Sequence, residues 1–296
     1  MVLFNPVKDD LKSPSSVFGA VGMVTENDSA ALMAFTRLYL SEDRWRITAA
    51  GGSGSINFQF RLANPIDRWI PYNTSADFAY VAVQRRVWRD LFVGLTYTTS
   101  RFDTTTNLAP SPASATLHGI GAKASLDRSE SVYYPRGGYQ TELNYTSYPS
   151  GFGNQFESDI LVGDYTRCDS MRGDTDVLAS RFHAGIGLGD LSFNQQFIVG
   201  DKDIRGYSQG AFRGNSILAA QTEYRWNVWR RLGFVGFGGV ATVFEAINPD
   251  DSGRLLPAGG VGFRITADKE THLNVGLDVA AGIDDWGVYF RVGEAF

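Results

Sequence analysis

The chain has one cysteine, Cys168, and no apolar run near the roughly 18 to 20 residues that a membrane-spanning helix needs. The first absence excludes an internal disulfide and a cysteine-based zinc site, and the second excludes a helical membrane protein. No basic excess is present either: 27 Lys and Arg stand against 32 Asp and Glu, so the electrostatic footprint of a nucleic-acid binder is missing. Few stretches carry a helical period. Glycine and aromatic residues are plentiful instead, with 33 glycines and 13% Phe, Trp and Tyr, and this composition points toward β structure.

Periodicity decides the class. Apolar residues recur at every second position in segments of about ten, separated by turn-rich polar stretches. Trp45, Ile47 and Ala49 alternate with Arg44, Arg46 and Thr48, and Ile56, Phe58, Phe60 and Leu62 alternate with Asn57, Gln59 and Arg61. Leu218, Ala220, Tyr224 and Trp226 oppose Gln221, Glu223 and Arg225; Leu273, Val275, Leu277 and Val279 oppose His272, Asn274 and Asp278. About fifteen such strands are expected, with separate ones starting near Arg44 and near Ser55. Their connections are rich in Asp, Asn, Gly, Ser and Pro, as in Asn248-Pro-Asp-Asp-Ser-Gly253.

Alternation alone fits a soluble sandwich or propeller as well as a membrane barrel. Strand length favours the barrel, because segments of about nine to eleven residues suit a tilted membrane strand. Aromatic residues near strand ends, among them Tyr39, Trp45, Trp88, Tyr133, Tyr134, Trp226 and Trp229, suit interfacial girdles. No fixed repeat supports a propeller. The expected fold is therefore all-β: a transmembrane antiparallel β-barrel of nominally sixteen strands, about fifteen of them recognisable, forming a single domain over 1–296.

The segment Trp286-Gly-Val-Tyr-Phe290-Arg-Val292-Gly-Glu294-Ala-Phe296 alternates and stops on an aromatic residue. This ending resembles the C-terminal β-signal of bacterial outer-membrane proteins, with Phe290, Val292 and Phe296 on its apolar face. Glu294 is expected at the membrane interface, where charge costs little. The long segment Asp190 to Arg213 contains Ile204-Arg205-Gly206-Tyr207, and five candidate strands follow it. It resembles the lumen loop of the Omp85 family, also called bacterial surface antigen D15, whose tip carries a V/I-R-G-F/Y motif. Tyr134-Pro135-Arg136-Gly137-Gly138-Tyr139 is similar to the family's Y-P-x-x-G segment, so the D15-like region runs from about 133 to 296.

The resemblance implies a long loop folded into the lumen. An arginine there must be paired, since an unpaired buried charge is costly and its planar fork suits carboxylates. The candidate partners are Glu223, on the polar face of the next strand and matching the family's acidic wall position, and Asp278 or Glu142. Many members carry an aspartate where this chain has Gly239, which leaves the second acidic position open. Gly206 would allow a tight turn and Tyr207 a packed ring with a polar tip.

Such a protein would sit in the bacterial outer membrane and act in insertion and assembly, or translocation, of outer-membrane proteins. Its partners would be outer-membrane lipid and unfolded outer-membrane proteins or assembly machinery, without nucleic acid. A passive pore or structural surface barrel of the same fold is the alternative, and a soluble β-sandwich a third reading. Members usually carry a signal peptide and periplasmic POTRA domains. Met1-Val-Leu-Phe4-Asn-Pro6 has no basic start or cleavage site, and the strands consume the length a POTRA domain would need. An even strand number is needed for closure, so the expectation is a chain truncated at its first strand, with Val2-Leu3-Phe4 as the remnant.

No enzyme signature emerges. His118, His183 and His272 fall on separate strands without metal-ligand spacing, and Gly51-Gly-Ser-Gly54 lacks the GKS/T ending of a phosphate loop. No serine sits in a G-x-S-x-G elbow with a plausible acid and histidine order, and Asp159 and Asp164 read as lumen or turn residues. Neither a cofactor nor a metal is expected.

Overall fold

The structure is a computed structural model of the chain, and it describes all residues except 1, 8–9, 11, 26, 63–67, 108–112, 131–133, 174, 201–202, 230 and 269–272. Tyr133 and His272 therefore lie outside the described residues. The strands are β1 (Val2–Phe4), β2 (Ser16–Val24), β3 (Ala30–Leu40), β4 (Trp45–Leu62), β5 (Arg68–Trp88), β6 (Leu91–Thr106), β7 (Ala113–Asp127) and β8 (Gly138–Tyr148). They continue with β9 (Ser158–Met171), β10 (Asp176–Gly189), β11 (Phe197–Ile198), β12 (Arg213–Trp229), β13 (Leu232–Ala246), β14 (Leu256–Asp268), β15 (Leu273–Gly282) and β16 (Asp285–Val292). They form one antiparallel sheet in which neighbours in sequence are neighbours in space. The two-residue β11 alone stands off this path and pairs with β12.

Fifteen strands make up that path, as the alternation leads one to expect, but they are not the same fifteen. Val2–Phe4 forms a strand of its own, paired with Ser16–Phe18. The two strands expected from Arg44 and Ser55 are one continuous β4, in register with β5 from Trp45↔Arg85 to Leu62↔Arg68. Gly51-Gly-Ser-Gly54 reads as a turn because of its composition, yet it is the interior of a strand. A Cβ at Gly52 would come within 2.7 Å of the Leu32 carbonyl oxygen and one at Gly54 within 2.9 Å of that of Ala30. Glycine is used here for close approach of β3, not for a turn.

The faces of the sheet are inverted relative to a soluble protein. On β12, Gln221, Glu223 and Arg225 are buried, whereas Leu218, Tyr224 and Trp226 are exposed. On β16 the exposed residues are Trp286, Val288, Phe290 and Val292, each more than half accessible. A sheet in water hides its apolar face; one in lipid shows it and turns its polar face inward, and this chain does the second. Trp45, Trp88, Trp226, Trp229 and Trp286, all at or near strand ends, are also exposed, as an interfacial belt requires.

The chain clusters into two compact units. The first comprises Met1–Leu126, Leu143–Leu161 and Gly187–Gln195. Its β3–β4 turn places Ser41, Glu42 and Asp43 at positive φ of 56°, 60° and 56°. That strained backbone is held by charge: Asp43 takes both forks of Arg46 at 2.9 Å and Arg86 at 2.6 Å, and the Arg46 guanidinium lies 3.7 Å from the Phe92 ring centre. Phe58, Phe60 and Tyr72 on β4 and β5 pack with Phe193 in edge and stacked pairs. The second unit comprises Asp127–Glu142, Val162–Ile186 and Gln196–Phe296, and contains the β12–β16 meander.

The inverted faces predict a depth-dependent cost of charge. Phe182→Arg, at the centre of β10, should lower stability in lipid vesicles by about 2–4 kcal/mol, and Val292→Arg, at the end of β16, by about 0–1 kcal/mol. Reversible denaturant unfolding in vesicles measures both; equal, small costs at the two sites would show that water, not lipid, solvates this face.

Candidate functional site

The site is built in the second unit, where the segment after β10 returns against the buried face of β12–β16. Phe197 and Ile198 pair with Gly214 and Arg213, which starts the segment as an extra β strand alongside β12. Beyond it, Val199, Ile204 and Tyr207 are buried among Ile217, Ala219, Ala241, Val243 and Leu256. The tip is thus anchored by apolar contacts to β12, β13 and β14 before any charge is considered. Tyr207 donates its hydroxyl to the Pro257 carbonyl at 2.7 Å and accepts from the Ile283 amide at 3.1 Å, while its ring meets Phe212 edge-on. Gly282 makes room for that ring, because any Cβ there would overlap it.

Apolar packing on either side leaves Arg205 pointing into the wall. It is fully buried, with Nη2 2.8 Å from Glu223 on β12 and Nη1 2.7 Å from Asp278 on β15. Its Nε reaches Gln221 at 3.3 Å, and its guanidinium carbon lies 3.4 Å from the centre of the Phe237 ring on β13. Gly206 follows with φ of +112°, and a Cβ there would sit 2.8 Å from the Ala281 carbonyl carbon. Glycine satisfies both demands. Its amide donates to the Tyr289 hydroxyl of β16 at 2.8 Å, so five wall strands, β12 to β16, touch the tetrad by charge, ring or hydrogen bond.

The carboxylates are themselves shared. Glu223 also accepts from Arg225 at 2.7 Å; Asp278 accepts from Arg264 at 2.5 Å and from Arg291 at 3.0 Å. Register explains the room for this: Gly262 stands directly opposite Asp278 and contributes no side chain. On its other flank the tip is held by Asp203, which bridges Arg181 of β10 at 3.1 Å, and Arg181 and His183 both contact Asp164 of β9.

The residues after β16 complete the cluster. Gly293, at φ of +92°, ends the alternation, and its amide bonds to the Asn274 carbonyl. Glu294 then turns inward instead of lying at an interface: its side chain is only 4% exposed and sits 3.2 Å from Arg264 and 3.6 Å from Arg225, with Asn274 donating at 2.7 Å. The reason is electrostatic, since two inward guanidiniums offer a carboxylate more than an interface does. Phe290 and Val292 share the exposed face, but Phe296 leaves it and packs against Tyr134, Cys168, Val177 and Ala179. Its main-chain oxygen accepts from Arg225 at 2.6 Å. Burial pushes the Tyr134 phenol above its ordinary value, which keeps the hydroxyl protonated beside the Asn227 amide.

Of the residues singled out in the sequence, Ile204, Arg205, Gly206, Tyr207, Glu223 and Asp278 come together. Glu142, on β8, makes neither ion pair of Arg205. Arg225, Arg264, Arg291, Glu294, Asp203 and Tyr289 belong to the site and were missed. A usable signal existed for the three arginines: each stands at a polar-face position of a strand whose alternate residues are apolar. Asp201 and Lys202 of the loop lie outside the described residues. No group of His, Cys, Asp and Glu suited to a metal occurs among the described residues.

Neither a protein-family model nor a curated protein sequence matches the chain. Solved structures do. BamA from Haemophilus ducreyi lacking POTRA domains 1–3 aligns with a TM-score of 0.63 at 13% identity, over 94% of this chain and 63% of that one. CdiB from Acinetobacter baumannii aligns with a TM-score of 0.63 at 12% identity, over 96% and 57%, and CdiB from Escherichia coli with 0.52 at 12%, over 98% and 61%. The fold is that of an Omp85-type barrel. This chain spans about six-tenths of the length of those three structures. The tip tetrad and its carboxylates form one buried ion network, and networks of that kind respond non-additively to mutation.

Arg205→Ala and Glu223→Ala should each cost about 3–5 kcal/mol, because each strands a buried opposite charge. The double substitution should cost no more than the more damaging single change. Denaturant unfolding of the four proteins in the same detergent or vesicle measures the cycle; strict additivity would remove the pair as an interaction.

Proposed function

We propose that this chain is a bacterial outer-membrane protein that acts in the insertion and assembly, or translocation, of outer-membrane proteins. The observation that carries the reading is the pinned loop: a fully buried arginine fixes the loop tip to β12 and β15, and the next amide fixes it to β16. A passive pore gains nothing from burying a charge in a bridge that obstructs its polar face. A protein that must hold its last strands in one register while polypeptide passes or pairs beside them gains a rigid brace. Likeness to BamA and CdiB supports the fold on which this argument stands. The partners are then outer-membrane lipid and unfolded outer-membrane protein, with assembly machinery recruiting the substrate. The chemistry is non-covalent, and no cofactor enters it.

Vesicles containing the purified protein should accelerate folding of a urea-unfolded outer-membrane barrel relative to empty vesicles, read as heat-modifiable gel mobility against time. Arg205→Ala should lose most of that acceleration. In planar bilayers the wild-type protein should show low conductance that rises in Arg205→Ala. Large, steady wild-type conductance without any folding acceleration would overturn the reading in favour of a pore.

A further inference from the structure

Two concavities of the second unit lie on the same strands and have complementary chemistry. The first is a pocket of about 410 Å³ at the β12–β13 turn, lined by Tyr134, Arg136, Asn227, Trp229, Arg231 and Asn274 among others. Two guanidinium side chains line it and no carboxylate does among the described lining residues. The Nε of Arg136 is buried without a hydrogen-bond partner; Glu130 stands beside Gly137 but does not line the pocket, and the acids Glu294 and Asp176 are already engaged. Glu294 is bound by Arg264, Arg225 and Asn274; Asp176 is bound by Arg172, the Tyr224 hydroxyl and the Asn227 amide. An unsatisfied guanidinium donor in such a pocket calls for an anion with several acceptor oxygens.

The second concavity is a groove of about 570 Å³ on the exposed face of β12–β15, walled by Trp226, Phe234, Val261, Phe263 and Val279. Its floor is Gly236, where a Cβ would meet nothing within 4 Å. Phe234 stands opposite Phe263 and Gly236 opposite Val261, so the missing side chain opens a slot between aromatic and aliphatic walls. The two features lie at successive levels of the same hairpin. Leu232 lines the pocket and Gly236 the groove, four residues apart, which is about 13 Å at the usual rise of a strand. Exposed Trp229, the last residue of β12, stands at the pocket, as expected where lipid meets water.

We propose that the β12–β13 hairpin binds one anionic glycerophospholipid, with its phosphate on Arg136 and Arg231 and an acyl chain lying over Gly236 in the outer groove. The charge complement selects the head group and the side-chain-free floor selects the tail. The site rests on this face being solvated by lipid, and it does not depend on an insertase role.

Native mass spectrometry of the full chain in detergent, with phosphatidylglycerol, phosphatidylcholine or inorganic phosphate added, tests the site. A single phosphatidylglycerol should be retained at least about tenfold more tightly than phosphatidylcholine, and Arg136→Gln with Arg231→Gln should remove that preference. Gly236→Leu, which fills the groove, should weaken retention of both lipids, with heat-modifiable mobility showing that the barrel is folded. Equal retention of the two lipids by the wild-type protein would overturn the proposal, as would an unchanged preference in the double variant. Displacement of the lipid by equimolar inorganic phosphate would also overturn it, because the ligand would then be a free anion. Loss of folding acceleration in vesicles with lipid preference intact would strike the insertase reading alone.

Discussion

Arg205 is a charge with no access to water, and everything around it follows from that condition. A lone guanidinium in such a place is far too costly, so two carboxylates must face it. Those carboxylates are buried in turn and need more cations than one arginine supplies. Arg225, Arg264 and Arg291 meet that need, and Glu294 offsets the positive excess they bring. The loop tip, four strands and the segment after β16 are thereby parts of one charge balance. No member can be removed without leaving another uncompensated, so the network specifies an arrangement even where its net contribution to stability is small.

Such a balance fits inside a sheet only if the sheet makes room for it. Long side chains on β12, β14, β15 and β16 converge on a space that also holds a loop. Glycine provides the vacancies: Gly262 opposite Asp278, Gly282 beneath the Tyr207 ring, and Gly206 against Ala281. The same residue type does the reverse on the outer face, where Gly236 leaves a slot open toward lipid. The 33 glycines in the composition are therefore not chiefly turn residues. Several are places where a side chain would displace charge, ring or backbone.

What the sequence reveals follows the range of each interaction. The face on which a strand residue lies is set by its own backbone, so the period of two survives in the sequence, and the inverted sheet and the five strands after the loop could be read from it. The boundary between Arg44 and Ser55 could not, because the strand-like state of Gly51–Ser55 depends on β3 packing against it from twenty residues away in sequence. The tetrad at 204–207 and Glu223 were legible because they form a recognisable pattern. The partnership of Asp203 with Arg181 was not, since 22 residues separate them and neither carries a motif. Glu294 misled for a physical reason: strand parity continues to Val292, and the left-handed Gly293 that ends it gives no signal beyond being a glycine.

Lipid as solvent explains why polar cost and apolar gain are arranged as they are. In water, Phe290 and Val292 would be hidden and Arg225 and Arg264 exposed; each would be individually unremarkable. In lipid the apolar residues need no partner at all, because hydrocarbon already solvates them, and little driving force remains to press the sheet together from that side. Specific cohesion has to come from the inward face, from hydrogen bonds and ion pairs whose alternatives are worse. That is where this chain concentrates its arginines and carboxylates. The exposed face can then vary freely in shape, and a missing side chain such as that at Gly236 costs the fold little while giving lipid a slot to occupy.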